Sequence, residues 1–325
     1  MAPITPLPAS YAALPTQHIS LSHVPADSPT PTPVLLLTLN RPDKLNAFTD
    51  TMAREMVSVF ETVDVDDRVK CVVVAGHPDS RAFCAGADLE IGFPKGKGKH
   101  GGPSNRGDAV REREHRDGGG KVTLAIHNCR KPTIMAITGS AVGIGITMTL
   151  PACIRVATAG SKIGFVFARR GLIMEAVSSF FLPRLIGLSR ALHLTTTGAV
   201  YPAEHPLLRE LFSEVLPTPA RTLERALELA ADIAANTSTV STGLMRDLMW
   251  RGPGSAEETH LLDSAVIYGL FGKRDNEEGI RSFFEKRKPR FAASFNNEED
   301  LPQVYPWWPR VDVTPLSEKA SKAKL

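Results

Sequence analysis

Two glycine-punctuated segments carry the residue types from which a polarising site can be built. In the first, Phe83-Cys84-Ala85-Gly86-Ala87-Asp88-Leu89, a compact Ala-Gly-Ala follows the apolar run Cys71-Val72-Val73-Val74-Ala75 and precedes an acidic-apolar pair. In the second, Gly139-Ser140-Ala141-Val142-Gly143-Ile144-Gly145 follows Thr133-Ile134-Met135-Ala136-Ile137. Small residues let a ligand approach the main chain, so backbone N–H groups become available as donors. Two such turns facing one another can aim two N–H groups at one oxygen and stabilise negative charge there, which is the work of an oxyanion hole.

Turns of this kind need strands behind them and helices ahead. Val34–Leu39, 71–75, 133–137 and Ile154–Ala157 read as buried strands from their short apolar runs, with a further apolar stretch at Lys162–Ala168. Asp50–Val63 has Met52, Met56, Val59, Phe60 and Val63 at helical spacing, and Val122–Cys129, Gly143–Leu150 and Phe180–Leu185 also read as helices. The recurring order of strand, glycine turn and helix predicts an α/β chain with parallel pairing, whose ligands collect where strands feed helices.

Residues 1–30, rich in Pro, Ser, Thr and Ala, are expected to be an irregular N-terminal extension with one strand near His18–His23. Residues 31–216 form the expected core. Within it, 93–121 turns to Lys, Arg, Gly and His and reads as a mobile loop and candidate lid, with a short charged helix at Asp108–Arg116. Beyond Pro217 the pattern is helical: Pro219–Ala235, Ser238–Trp250 and Ala256–Phe271 make 217–290 a candidate oligomerisation subdomain. The tail 291–325 begins Pro- and aromatic-rich and ends in a polar stretch.

Composition narrows the function classes. A chain of 325 residues with 42% hydrophobic and 22% charged residues has the profile of a soluble globular protein. No apolar run reaches the roughly 18 residues of a membrane span, and the start lacks the basic head and apolar core of a secretory signal. A formal net charge of +3 suits a small anionic ligand without calling for nucleic acid. The 93–121 loop mixes both charge signs and carries no aromatic platform beyond Phe93, which argues against single-strand binding. The cysteines Cys71, Cys84, Cys129 and Cys153 lie in or beside apolar segments and read as reduced core residues; no Cys/His spacing indicates a metal.

The motifs Leu39-Asn-Arg-Pro-Asp-Lys-Leu-Asn-Ala-Phe48, Phe83–Leu89, Lys131-Pro132, Gly139–Gly145 and Phe283-Phe-Glu-Lys-Arg-Lys288 occur in this order, and with them the chain resembles the enoyl-CoA hydratase/isomerase superfamily, the crotonases, from about 34 to 290. The resemblance implies a crotonase-like spiral of ββα units with a C-terminal helical part, assembled as a homotrimer or a dimer of trimers. It implies an acyl-CoA substrate, with coenzyme A part of the substrate and no separate cofactor. The thioester oxygen would accept from the N–H groups of Ala87 and Ile144. Ala85, Gly86, Asp88, Leu89 and Gly143 would border the CoA, Lys44 and Ala47 would contact it, and Lys286 would reach a CoA phosphate from a neighbouring subunit.

Which reaction follows depends on carboxylates. The two glutamates of family hydratases correspond to Thr147 and Phe167, neither acidic, whereas Glu175 in Gly171-Leu-Ile-Met-Glu-Ala-Val-Ser-Ser179 stands where family Δ3,Δ2-enoyl-CoA isomerases carry their single acid/base group. An isolated Glu among Ile, Met, Ala and Val should be desolvated and its pKa raised towards the range useful for moving protons. The expectation is an isomerase with Glu175 as sole proton shuttle; hydration or a lyase-type acyl-CoA reaction is the alternative, and nucleic-acid-binding and catalytically silent homologues lie outside the enzymes. The terminal Ala323-Lys324-Leu325 resembles the tripeptide read by the peroxisomal import receptor, so a peroxisomal location is expected.

Overall fold

The computed structural model describes residues 2–92 and 112–315. Most of the 93–121 segment, the first part of the expected charged helix and the terminal tripeptide lie outside the described residues.

Strands β1 (Ile19–His23), β2 (Val34–Leu39), β3 (Cys71–Gly76), β5 (Thr133–Ile137), β7 (Ile154–Thr158) and β10 (Glu214–Leu216) form one sheet in the order β1-β2-β3-β5-β7-β10. The pairs from β2 to β10 are all parallel, and β1 closes the edge antiparallel to β2. A second sheet runs β4 (Ala82–Cys84), β6 (Ser140–Val142), β8 (Lys162–Gly164) and β9 (Val200–Pro202). Successive repeats give one strand to each sheet, β3 and β4, β5 and β6, β7 and β8, which is the expected spiral of ββα units in a mixed α/β fold.

The parallel sheet is buried on both faces, and alternation along its strands explains why the runs are apolar throughout. Cys71, Val73 and Ala75 of β3 and Ile134 and Ala136 of β5 meet Ala226, Ala230 and Ala234 of α6 (Pro219–Asn236). Val72, Val74, Met135 and Ile137 join the opposite core with Met52, Met56 and Phe60 of α1 (Asp50–Val65). Each fully buried side chain of this size contributes about 1.5–3 kcal/mol. The alanine stripe lets α6 lie close to the sheet, so this helix, on the far side of the boundary expected at 217, covers one face of the parallel sheet.

Two expectations need correction. Gly118–Lys121 is not loop: α2 runs Gly118–Asn128 because Asp117 caps it, its side chain accepting from Gly120 N–H. Three glycines oppose a helix by propensity, and here the cap and burial override it. Cys71, Cys84 and Cys129 are buried free thiols as expected, but Cys153 is exposed, because it stands in the turn between Pro151 and β7. Within the N-terminal extension, β1 is a sheet strand and Tyr11 is fully buried, donating to Asp66 at 2.9 Å.

Helix α3 (Ile144–Thr147), short by any standard, is held from behind by Arg155 on β7. The buried guanidinium donates to the carbonyls of Ala152 (2.7 Å), Leu150 (3.0 Å) and Thr149 (3.4 Å), and through Nε to Leu211 O (2.9 Å). A cation at the C-terminal side of a helical turn is favourably placed, although burial pulls its pKa down to about 10. Arg155→Met should leave these carbonyls unpaired and cost about 2–4 kcal/mol of stability. Denaturant titration checks this; an unchanged midpoint would show that the carbonyls find other partners.

The remaining described helices are α4 (Ser178–Ile186), α5 (Leu188–Thr197), α7 (Thr239–Arg251), α8 (Ala256–Tyr268) and α9 (Arg274–Phe284). The aromatic tail packs on α7, with Trp307 donating to Arg251 O and Phe295 buried beside Leu244. No helix among the described residues is long and apolar enough to cross a membrane.

Candidate active site

The segment Leu39–Phe48 builds the first turn. Leu45 and Asn46 both adopt left-handed backbone conformations, and the fully buried Asn46 is held from both ends of its amide. Its Nδ2 donates to Ala82 O at 3.0 Å and its Oδ1 accepts from Arg41 N at 2.9 Å. The chain then lies parallel to the Ala-Gly-Ala segment: Phe48 N donates to Gly86 O at 2.8 Å and Asp88 N to Phe48 O at 3.0 Å. That register turns the N–H of Ala87, the residue between them, to the other side. Arg41 clamps the arrangement with Nη1 on Ala47 O (2.6 Å) and Nη2 on Asp88 (2.9 Å).

The second turn is brought against the first by β4 pairing with β6. Gly145 is required by contact, since a Cβ there would stand 2.1 Å from the Cys84 carbonyl oxygen. Gly86, at φ +104°, is required by conformation and passes close to Val142 O. Gly143, at φ +56°, turns the chain into α3 and leaves Ile144 as its first residue. A first helical residue has no intrahelical acceptor for its N–H. Among the described residues nothing accepts from the N–H of Ala87 or of Ile144.

Glu175 stands beside this pair of turns. Its half-buried side chain accepts from Thr147 Oγ1 on α3 at 2.7 Å. Burial pushes its pKa up to about 8; the Thr147 hydrogen bond opposes that rise, and the neighbouring Asp117 adds to it. Its own carbonyl, not its carboxyl, meets α4, accepting from Ser178 N (3.0 Å) and Ser178 Oγ (2.6 Å). Glu175 is therefore desolvated as expected, but it is not isolated. Asp117 was missed because it sits in a stretch that reads as loop. Thr147 was assigned only as a missing carboxylate, yet it orients Glu175.

The other candidate residues scatter around the turns. Ala85 and Leu89 are exposed, Ala47 and Asp88 half-buried, and Asp88 is engaged by Arg41. Exposed Lys44 pairs with Glu90 at 2.8 Å. Lys286 is exposed just after α9, with its backbone in the left-handed region. Phe167 lies behind Gly143, within 3.9 Å of the position of a Cβ there. Among the described residues no group of three or more His, Cys, Asp or Glu is arranged to hold a metal.

Comparison with known proteins agrees with this geometry. The family model described as enoyl-CoA hydratase/isomerase matches residues 30–294. "Enoyl-CoA hydratase AFT3-1" of Alternaria alternata is 52% identical over 273 residues, covering 84% of this chain and 87% of that protein. The "1,2-epoxyphenylacetyl-CoA isomerase" of Escherichia coli is 30% identical over 80% of this chain and 95% of its own length. Among solved structures, a probable enoyl-CoA hydratase/isomerase from Mycobacterium abscessus superposes with a TM-score of 0.71 at 31% identity, over 81% of this chain and 96% of that one. With two free N–H turns, a carboxyl beside them and a match through nearly the whole described core, the chain belongs to the enoyl-CoA hydratase/isomerase family and is an acyl-CoA-processing enzyme of the crotonase type.

Proposed function

We propose that the enzyme is a Δ3,Δ2-enoyl-CoA isomerase in which Glu175 moves the proton. The observation that carries this reading is one half-buried carboxyl, with its pKa pushed up to about 8, beside two turns whose N–H groups are free. In the proposed step the thioester oxygen accepts from Ala87 and Ile144, and ionised Glu175 takes a proton from C2. The C–H electron pair moves into the C1–C2 bond as the carbonyl becomes an oxyanion. The same carboxyl returns the proton to C4, and the double bond comes to rest between C2 and C3. The CoA runs along Ala85–Leu89 past Lys44 and Ala47.

Hydration is the second reading, favoured by Asp117 beside Glu175 and by the printed names of the Alternaria relatives. There Glu175 would protonate C2 while a second carboxylate activates water. The two readings predict opposite pH dependence. As the base of an isomerase, Glu175 must be ionised, so kcat/KM rises with pH through about 8; as the acid of a hydratase it must be protonated, so kcat/KM falls across the same range. Incubating the protein with 3-enoyl-CoA and 2-enoyl-CoA and following products by chromatography and mass spectrometry separates them independently. Isomerisation leaves the mass unchanged and hydration adds one water. A rising limb without water addition supports the isomerase; a hydrated product from 2-enoyl-CoA with a falling limb overturns it.

We also propose that α8, α9 and the turn between them bury the exposed Leu261, Tyr268, Phe271, Ile280, Phe283 and Phe284 against further copies of the chain, as a trimer or dimer of trimers. Light scattering at assay concentration checks this, and a monomeric mass defeats it.

A further inference from the structure

We propose that Asp117, which caps α2, is a positioning residue for Glu175: it fixes the main chain that carries Glu175 and supplies the negative field in which that carboxyl works. The inference rests on the proposed reading of Glu175 as the base that takes the C2 proton.

The tie is direct. Asp117 Oδ1 accepts from Gly120 N–H, capping α2, and also from the N–H of Ala176, the residue after Glu175, at 3.3 Å. Ala176 and Val177 both sit at φ +55°. Two consecutive left-handed residues with side chains, one of them β-branched, persist only where their surroundings hold them. The holding groups are Asp117 on one side and Ser178, bonded to Glu175 O through both N and Oγ, on the other. The conformation aims the Glu175 side chain back across the first turn of α2. A Cβ on Gly119 would fall 2.0 Å from Glu175 Oε2, and one on Gly120 would fall 2.7 Å from Asp117 Oδ2. Both carboxyls therefore border the same glycine turn, which has room for them because it carries no side chains.

The field has few other sources among the described residues. The buried Cys84 thiol faces Glu175 from β4 and is held neutral by a pKa pushed up to about 12. Asp50 of α1 stands beyond Gly118, with Oδ1 3.8 Å from the position of a Cβ there. Arg116 is turned to the Val313 carbonyl at 2.7 Å, and Lys121 is exposed. The negative charge of Asp117 opposes a second negative charge on Glu175, so it strengthens Glu175 as a base once ionised. Removing that charge should weaken the base even where the backbone stays in place.

The test compares the pH profile of kcat/KM, together with proton exchange at C2 of a 3-enoyl-CoA in D2O, for the wild type, Asp117→Asn, Asp117→Ala and Glu175→Gln. Asn caps a helix as well as Asp and can accept both N–H bonds, so Asp117→Asn keeps the backbone ties while it removes the charge and replaces the carboxyl contact with Glu175 by an amide donor. Its Glu175-governed limb should move down by about one pH unit with kcat lowered roughly 3–10-fold and KM unchanged. Asp117→Ala also releases Ala176 and should lose roughly 100-fold in kcat. Should the Asn variant fail to fold, Asp117→Ser, which also caps and carries no charge, takes its place in the profile. A limb that stays at the wild-type pH in the charge-free capping variants, with Asp117→Ala lowering only stability, overturns the proposal and leaves Asp117 as a helix cap. Wild-type exchange by Glu175→Gln would instead defeat the reading of Glu175, so the two failures are distinguishable.

Discussion

Glu175→Gln is expected to retain binding of acyl-CoA and to lose roughly two to four orders of magnitude in kcat, the usual scale for a general acid/base group. The amide fills the same space and still accepts from Thr147, so the loss reports proton transfer and not repacking. The same variant should behave oppositely in stability. With a folded pKa near 8 and an ordinary value of 4.5, Glu175 binds more protons in the folded than in the unfolded chain between those limits. Stability therefore falls as pH rises through this window, and the cost stays in place above it. A glutamine carries no such penalty, so its midpoint of unfolding should match the wild type near pH 4.5 and exceed it at pH 8.5. Thermal melts at both pH values, beside single-turnover kinetics, read the two effects. A variant that turns over at the wild-type rate would remove Glu175 from the chemistry; one with no stability gain at high pH would show that the group ionises freely in the folded state.

Gly119→Ala is the second large effect. The added Cβ would meet Glu175 Oε2 at 2.0 Å and Ile144 Cδ1 at 2.4 Å. The first neighbour is the end of a side chain that can swing away, so the fold should survive while the carboxyl leaves its place. Alanine also improves helix propensity by up to about 1 kcal/mol over glycine in a helix interior, less in a first turn, which offsets part of the crowding. We expect kcat to drop by roughly 100-fold or more, since displacing a catalytic group by about 1 Å is enough for that, with a free energy of unfolding within about 1 kcal/mol of the wild type. Circular dichroism and turnover measured on one preparation decide it. Activity near the wild-type level would mean that Glu175 reacts from elsewhere or that α2 yields.

The long strands, helix α1 and the two glycine turns were legible because each rests on local signals: apolar runs for β2, β3, β5 and β7, helical spacing for α1, and glycines that no larger residue can replace at 86 and 145. Strands β4, β6, β8, β9 and β10 have only three residues each, too few for a period, and exist because neighbouring strands present a paired edge. Glu175 was found through a motif position and its apolar flanks. Its partners were not, because Thr147 lies 28 residues earlier and Asp117 lies 58 earlier at the border of a Lys- and Gly-rich stretch.

By itself, then, the amino-acid order determined the family, the parallel α/β plan and the two glycine turns, since glycine tolerance, strand burial and helix starts are short-range properties of the chain. Only the tertiary structure decided that Glu175 has company. Its proton affinity depends on burial by other segments and on Asp117 across a turn of helix, and charge and desolvation act through space without regard to separation along the chain.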